Sequence, residues 1–235
     1  MYQDDLAYIQ HHGFSDFAQG AGPGVLRILR RARITRGHVV DLGCGDGTWL
    51  RALDRCGFTV IGFDRSASLL TYAAAAAPSA VLKKHTLHHF ALPQCDAITA
   101  LGEVLSYEPA TPASLRRLFR RAHASLRPGG VLVFDVLVSG PPMSYLAWRA
   151  GPSWAVLVRV EERKNRLIRH IITFRRVRGR YRRHRETHRL LVVAPRFVQT
   201  ELRRIGFVVH TAGGYGRFAL GRRRLAFIAR KKARR

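Results

Sequence analysis

Acidic residues are scarce in this chain: 15 Asp and Glu stand against 41 Lys and Arg in 235 residues, a formal net charge of +26. A field of that sign draws anionic partners such as nucleic acid or an anionic membrane surface. Cysteine is scarce too. Cys44, Cys56 and Cys95 are too few, and odd in number, for a disulfide framework, so they read as reduced thiols of an intracellular, cytoplasmic protein. No apolar run reaches membrane-spanning length, and Asp4 and Asp5 occupy the place of a signal peptide's basic region. His85, His88, His89 and Cys95 match no zinc spacing, so no metal is expected. What remains is 47% apolar residues over a length that suits one α/β unit with a small insertion.

The positive charge is uneven. Residues 149–235 hold 26 Lys and Arg against 4 acids, whereas residues 1–148 hold 15 against 11. Arginine far outnumbers lysine. Two readings stand: a surface for an anionic partner, or arginine used wherever the surface tolerates it.

The stretch that organises the chain is Val39–Leu50, where an apolar run ends in Asp41, and Gly43, Gly45 and Gly47 follow before a helix-like segment. A buried strand, a tight turn and a helix N-terminus form such a pattern. Glycine there lets a ligand approach the backbone, and the open N–H groups favour an anionic group. The dinucleotide fingerprint G-x-G-x-x-G fails, because its third glycine falls on Thr48 and an acid stands where an apolar residue belongs. A ligand-free strand–turn–helix would share the pattern, so residues farther along the chain must decide between the two.

Asp41, Gly43, Gly45 and Gly47 resemble the acid-x-G-x-G-x-G motif of class I S-adenosylmethionine-dependent methyltransferases. Further features fall at the family's distances. Gly57–Asp64 reads as a second strand ending in an acid, beside the loop in a doubly wound sheet and within reach of ribose hydroxyls. Leu126-Arg-Pro-Gly-Gly and the apolar run to Asp135 resemble the family's fifth strand. The helix over 194–205, Gly206-Phe207, a strand and a last strand at 225–230 resemble its antiparallel ending. The fold expected is a Rossmann-like, doubly wound, seven-stranded α/β sheet with an antiparallel last strand.

Between strand five and the last helix, Trp154–Glu162, Arg166–Arg176 and Tyr181–Leu190 read as an inserted antiparallel meander of about three strands. The expected organisation is one methyltransferase domain: an N-terminal helical segment (1–34), a cofactor core (35–137), the meander lid (152–191) and a C-terminal helix with strand hairpin (195–231). Gly20–Gly24 reads as punctuation before an amphipathic helix from Val25 to Ala32. Residues 4–19 either fold over the cofactor or pack simply on the sheet.

The resemblance implies S-adenosylmethionine as cofactor, held by Asp41, Gly43, Cys44, Gly45 and Gly47, with Asp64 and Arg65 at the ribose. It places adenine by Thr86 and Leu87, where the family's customary acid is missing, with His88 as a further contact. It places the methionine end by Leu101 and Glu103. Methyl transfer from a sulfonium needs in-line positioning above all, and a base only where the acceptor is protonated. Candidate bases are His188 and Glu186, two apart and so on one face of a strand, with His170 and Tyr107. The Asn/Asp-Pro-Pro-Tyr motif of amino-methylating DNA enzymes is absent, and Cys44 and Cys95 do not form the paired thiols of cytosine C5 enzymes. A small-molecule N or O acceptor under the lid is the leading expectation. RNA or protein methylation by the basic half, and a non-catalytic binding module, are the alternatives.

Overall fold

The computed structural model describes residues 3–87 and 90–233. Helix α1 (Asp4–Gly13) and helix α2 (Asp16–Arg31) lead into strand β1 (Gly37–Leu42). Next come α3 (Thr48–Arg55), β2 (Phe58–Asp64), α4 (Ala67–Ala76), β3 (Val81–Lys84), β4 (Cys95–Ala100), α5 (Pro112–Ser125) and β5 (Leu126–Leu137). Strands β6 (Tyr145–Gly151), β7 (Trp154–Arg163), β8 (Arg166–Val177) and β9 (Arg180–Leu191) succeed them. Helix α6 (Pro195–Ile205), β10 (Phe207–Ala212), the short β11 (Gly214–Tyr215) and β12 (Phe218–Ala219), and β13 (Arg224–Lys231) complete the described chain.

The main sheet has the order β10-β13-β5-β4-β1-β2-β3. Strand β1 runs parallel to β2 and β4, whereas β13 is antiparallel to both β5 and β10. Val39, Val40 and Leu42 are wholly buried because β1 sits mid-sheet with helices on both faces. One face packs on α5 and α6 through Leu115, Leu118, Phe119, Val198 and Leu202. The other packs on α2 and α3 through Val25, Leu29, Trp49, Leu50 and Leu53. Connections leave β1 and β4 in opposite directions across the sheet, so a cleft opens at their carboxyl ends. This is the expected Rossmann-like architecture.

Two local expectations are corrected. The inserted sheet has four antiparallel strands, in the order β6-β7-β8-β9, because Tyr145–Gly151 adds an edge strand to β7. Helix α2 runs unbroken through Gly20–Gly24. Those glycines serve contact, not termination: a Cβ on Gly24 would lie 2.0 Å from the Tyr215 carbonyl oxygen, and one on Gly22 would lie 3.2 Å from the Trp49 ring.

Candidate active site

The glycine loop starts where β1 ends. Gly45 has φ +56, and a Cβ there would meet nothing within 4 Å: its Cα side faces open cavity. Gly47 has φ +79, and a Cβ there would sit 2.7 Å from the Ala73 Cα on α4. One glycine therefore opens the loop to a ligand, and the other lets α4 close in behind it. Asp64, at the end of β2, accepts the Gly45 N–H at 2.9 Å and the Ser66 N–H at 2.8 Å. Burial raises its pKa, against the pull of these backbone donors. On β1, Asp41 is buried and accepts the Thr99 hydroxyl at 2.6 Å; that hydroxyl oxygen in turn accepts the Trp49 indole N–H at 3.1 Å. Burial pushes Asp41 up to about 7, with the Asp64 charge adding to the shift and the Thr99 bond opposing it.

A cavity of about 540 Å³ runs from this loop to the inner face of the four-stranded sheet. Of the residues expected from sequence, Asp41, Gly43, Cys44, Gly45, Asp64, Arg65, Thr86, Leu87, Leu101, Glu103, Tyr107 and His188 line it. Gly47 and Glu186 are not among the residues that line it. His88 and His89 lie outside the described residues. Among the described residues, no group of three His, Cys, Asp or Glu side chains could hold a metal ion. Cys44 and Cys95 are buried, and burial raises both thiols, Cys95 to about 12, so neither is a ready nucleophile.

The N-terminal helices line one side of the cavity. Leu6, Gln10, Phe14 and Phe17 face into it, and His11 Nδ1 lies 2.9 Å from Asp46 Oδ2 in the glycine loop. Val156, Val158, Val160 and Ile171 of β7 and β8 form an apolar wall, with Tyr145 of β6 beside them. Trp154 lies instead in a buried cluster with Leu6 and Ile9, and Tyr215 is fully buried with its hydroxyl on Asp135 at 2.9 Å. His170 pairs with Glu161 at 3.2 Å on the sheet's outer face, away from the cavity.

Tyr107 and His188 meet where the loop side and the sheet side of the cavity join, with ring centroids 5.5 Å apart. His188 Nε2 lies 3.0 Å from Glu186 Oε2, and both side chains are buried. Burial lowers the His188 pKa despite the Glu186 carboxylate. Burial would raise Glu186, but the bonds from His188 and from the Gln3 N–H outweigh it and hold the acid at about 2. A Glu186 carboxylate accepts from Nε2–H, so the neutral imidazole carries its lone pair on Nδ1.

A charge network adjoins Tyr107 through Arg169, and of its members the sequence marks only Glu103 as a site residue. Gly102 and Glu103 both have positive φ, +85 and +56, and this turn aims their N–H groups at the two oxygens of Asp135, each at 2.8 Å. Glu103 is a non-glycine residue held in the left-handed region, a conformation that persists only where its surroundings enforce it. Its Oε1 accepts from Arg169 at 2.5 Å, and Arg169 also reaches the Tyr107 hydroxyl at 3.3 Å. Its Oε2 lies 3.3 Å from Arg224 Nε, but neither atom has an aligned hydrogen-bond partner. Arg224 donates to Asp135 at 3.1 Å. Burial works against its charge, yet Glu103 and Asp135 outweigh that and raise its pKa. One sequence signal was available: β5, like β1 and β2, ends its apolar run near an aspartate, Asp135.

A family model described as "Methyltransferase domain" matches residues 10–212. The chain belongs to this methyltransferase family. No curated protein matches it in sequence. Solved structures match in fold. One is an S-adenosylmethionine-dependent methyltransferase from Clostridium acetobutylicum, 15% identical, with TM-score 0.81 over 96% of each chain. Another is the sugar N-methyltransferase KedS8 from Streptoalloteichus, 18% identical, with TM-score 0.83 over 99% of this chain and 95% of that one. A third is the amino pentose methyltransferase CalS10 from Micromonospora echinaspora, solved with S-adenosylmethionine bound. It is 21% identical, with TM-score 0.74 over 99% of this chain and 98% of that one. S-adenosylmethionine is the methyl donor that this methyltransferase's cradle fits: the Gly45 backbone opens onto the cavity, and a buried strand-end acid stands beside it. No helix is long and apolar enough to cross a membrane, among the described residues.

Proposed function

We propose that this methyltransferase acts as one unit on a small-molecule acceptor, at a nitrogen or an oxygen, with the four-stranded sheet as roof of the acceptor site. The observation that carries this reading is the continuity of the cavity from the glycine loop to the apolar wall of Val156, Val158 and Ile171, beside the N-terminal helices. A concave, largely apolar space of this size suits a compact ligand.

S-adenosylmethionine supplies a methyl group already activated by its sulfonium. The chain's own residues bind and orient. Asp64, with Arg65 beside it, takes the ribose hydroxyls; Asp41, Gly43, Cys44, Gly45 and Gly47 form the cradle; Thr86 and Leu87 flank the adenine. Leu101 and Glu103 receive the methionine end, joined by Arg224. Its guanidinium and the Glu103 carboxylate, opposite in sign and 3.3 Å apart, suit the carboxylate and ammonium of an amino acid. His188 accepts the acceptor's proton at Nδ1, Glu186 fixes the tautomer, and Tyr107 borders the transfer.

Calorimetric titration with S-adenosylmethionine and its demethylated product tests the cofactor site. A panel of small amines, amino sugars and phenols, read by mass spectrometry, tests the acceptor class. Micromolar binding and gain of one methyl on a small molecule is the expected result. Methylation confined to RNA or protein would overturn the acceptor reading. The arginine-rich half is in part internal structure, since Arg169, Arg182, Arg223 and Arg224 pair with Glu103, Asp5, Glu162 and Asp135.

A further inference from the structure

Arg169 of β8 and His188 of β9 stand directly opposite each other in the antiparallel register, and both side chains reach the cavity. Tyr107 touches both. Its hydroxyl lies 3.3 Å from Arg169 Nη1, and its ring centroid lies 5.5 Å from that of His188. A guanidinium, a phenol and an imidazole thus gather beside the apolar wall of Val156, Val158 and Ile171. The guanidinium gives that corner a positive field, which favours negative charge on an incoming atom.

The same corner is poorly made for a cation. Among the described residues, six carboxylates line the cavity, and each is already committed. Asp41 and Asp64 are bonded within the glycine-loop cradle. Asp46 contacts His11, Asp16 pairs with Arg149, Glu108 with Arg189, and Glu103 with both Arg169 and Arg224. Glu186 does not line the cavity, and it accepts from the Gln3 N–H and His188. Guanidiniums also lie over the Phe14, Phe17 and Tyr107 rings, at 4.9, 4.7 and 5.7 Å. A protonated amine brought here would meet acids and ring faces that already hold cations, with Arg169 beside it. A sugar would lay its hydroxyls on Val156, Val158 and Ile171, whose side chains offer no hydrogen bond.

We propose that the acceptor is an apolar phenol, methylated on its oxygen. This rests on the small-molecule reading of the cavity and narrows it. The ring lies on the valine and isoleucine wall, and the hydroxyl comes to His188 beside Arg169. The oxygen bonds to the methyl carbon as the carbon–sulfur bond breaks, and the electron pair of that bond stays on sulfur. The hydroxyl proton passes to His188, which releases it to water. The products are an aryl methyl ether, S-adenosylhomocysteine and one proton. A phenol ionises at about 10, against about 16 for a group as weak as water, so an imidazole assists a phenol far better than an alcohol.

Three probes that share one apolar ring separate the classes: para-tert-butylphenol, para-tert-butylbenzyl alcohol and para-tert-butylbenzylamine, the last protonated near neutral pH. Each is titrated into the full chain saturated with S-adenosylhomocysteine, and each is incubated with S-adenosylmethionine and read by mass spectrometry. The phenol should bind at least tenfold more tightly than the other two and alone gain a methyl. Tyr145 lines the cavity and is 47% exposed, so it can be exchanged for a carboxylate with little disturbance of the core. Tyr145→Glu should hold the amine severalfold more tightly than the parent does and keep the thermal shift with S-adenosylhomocysteine. Methylation of the amine, or amine binding as tight as that of the phenol, overturns the proposal and leaves the small-molecule site standing. So does a phenol that binds without gaining a methyl, or a folded Tyr145→Glu with no gain for the amine. Binding of none of the three at millimolar concentration, by a chain that holds S-adenosylhomocysteine, removes the small-molecule reading itself.

Discussion

The Asp64 carboxylate accepts the Gly45 N–H at 2.9 Å, so the end of β2 is tied to the middle of the glycine loop. The same side chain that would meet the ribose thus also shapes the cradle. Asp64→Ala removes both roles. Affinity for S-adenosylhomocysteine should fall tenfold or more, about 1.4 kcal/mol. The loop donors it leaves unsatisfied should also lower stability by about 1–3 kcal/mol. Calorimetry and a melting curve read the two effects separately, and unchanged affinity would remove Asp64 from the site.

Asp41 gives the protein a pH dependence of definite sign. Its pKa lies at about 7 in the folded chain against 3.8 for an ordinary aspartate. A raised acid contributes stability that is fully present below about 4 and lost as pH rises through 7. Asp41→Asn mimics the protonated acid and can still accept from Thr99. It should therefore melt higher than the parent at pH 8, by up to about 4 kcal/mol in stability, and match it near pH 4. A cationic ligand offsets the cost of the ionised form, so S-adenosylmethionine should bind the parent more tightly as pH rises from 5 to 7 and lose that dependence in Asp41→Asn. Equal melting of the two chains across the range would mean that Asp41 titrates as an ordinary carboxyl.

The Glu186–His188 pair predicts a one-sided rate profile. Glu186, held at about 2, stays ionised throughout the working range. His188 titrates below its usual value. The rate should therefore stay level down through the range where an ordinary histidine titrates and fall only at lower pH. His188→Asn should lower kcat by about 10²–10⁴ with cofactor affinity intact, for an acceptor that must lose a proton. Glu186→Gln should retain part of the rate, since it keeps the ring in place but not its charge partner. A kcat unaffected by His188→Asn would show that the acceptor arrives already deprotonated.

Much of this architecture can be read from the sequence, because the core strands are apolar runs ended by acids at family distances. The exceptions have physical causes. In the first half of α2, the buried residues Ala21, Gly22 and Gly24 carry almost no apolar bulk, so the stripe that marks Val25–Ala32 does not extend back through the glycines. Strand β6 shows no inward apolar alternation, since six of its seven residues are exposed; only its pairing to β7 defines it. Arg169 and Arg224 reach Glu103 from 66 and 121 positions away, and nothing local in an arginine-rich chain marks which arginines turn inward. Asp135 was visible as a strand-end acid, but its grip on the Gly102–Glu103 turn needed the fold.

The α2 glycines permit a test in which two effects oppose. On an exposed helix face, Gly→Ala gains about 1 kcal/mol. At Gly24 the new methyl would lie 2.0 Å from the Tyr215 carbonyl, which is backbone and cannot rotate away. Overpacking of that kind costs about 1–3 kcal/mol. Gly24→Ala should therefore lower the melting temperature, against helix propensity. A gain would mean that α2 does not lie against β11.

Arg224 offers the sharpest separation of binding from folding. It stacks over Phe17 at 4.7 Å, contacts Glu103 and Asp135, and lines the cavity beside Gly102. If it holds the amino-acid end of the donor, its loss should be felt only by ligands that possess that end. Arg224→Lys preserves the charge that Asp135 and Glu103 need, but not the guanidinium fork. In that variant S-adenosylhomocysteine should bind about tenfold more weakly, while methylthioadenosine, which shares the nucleoside and lacks the amino acid, should bind as it does to the parent. A parallel loss of both ligands would point to a general loosening of the Gly102–Glu103 turn. A loss of neither would leave Arg224 as a structural counter-ion, satisfied by Asp135 and Glu103 alone.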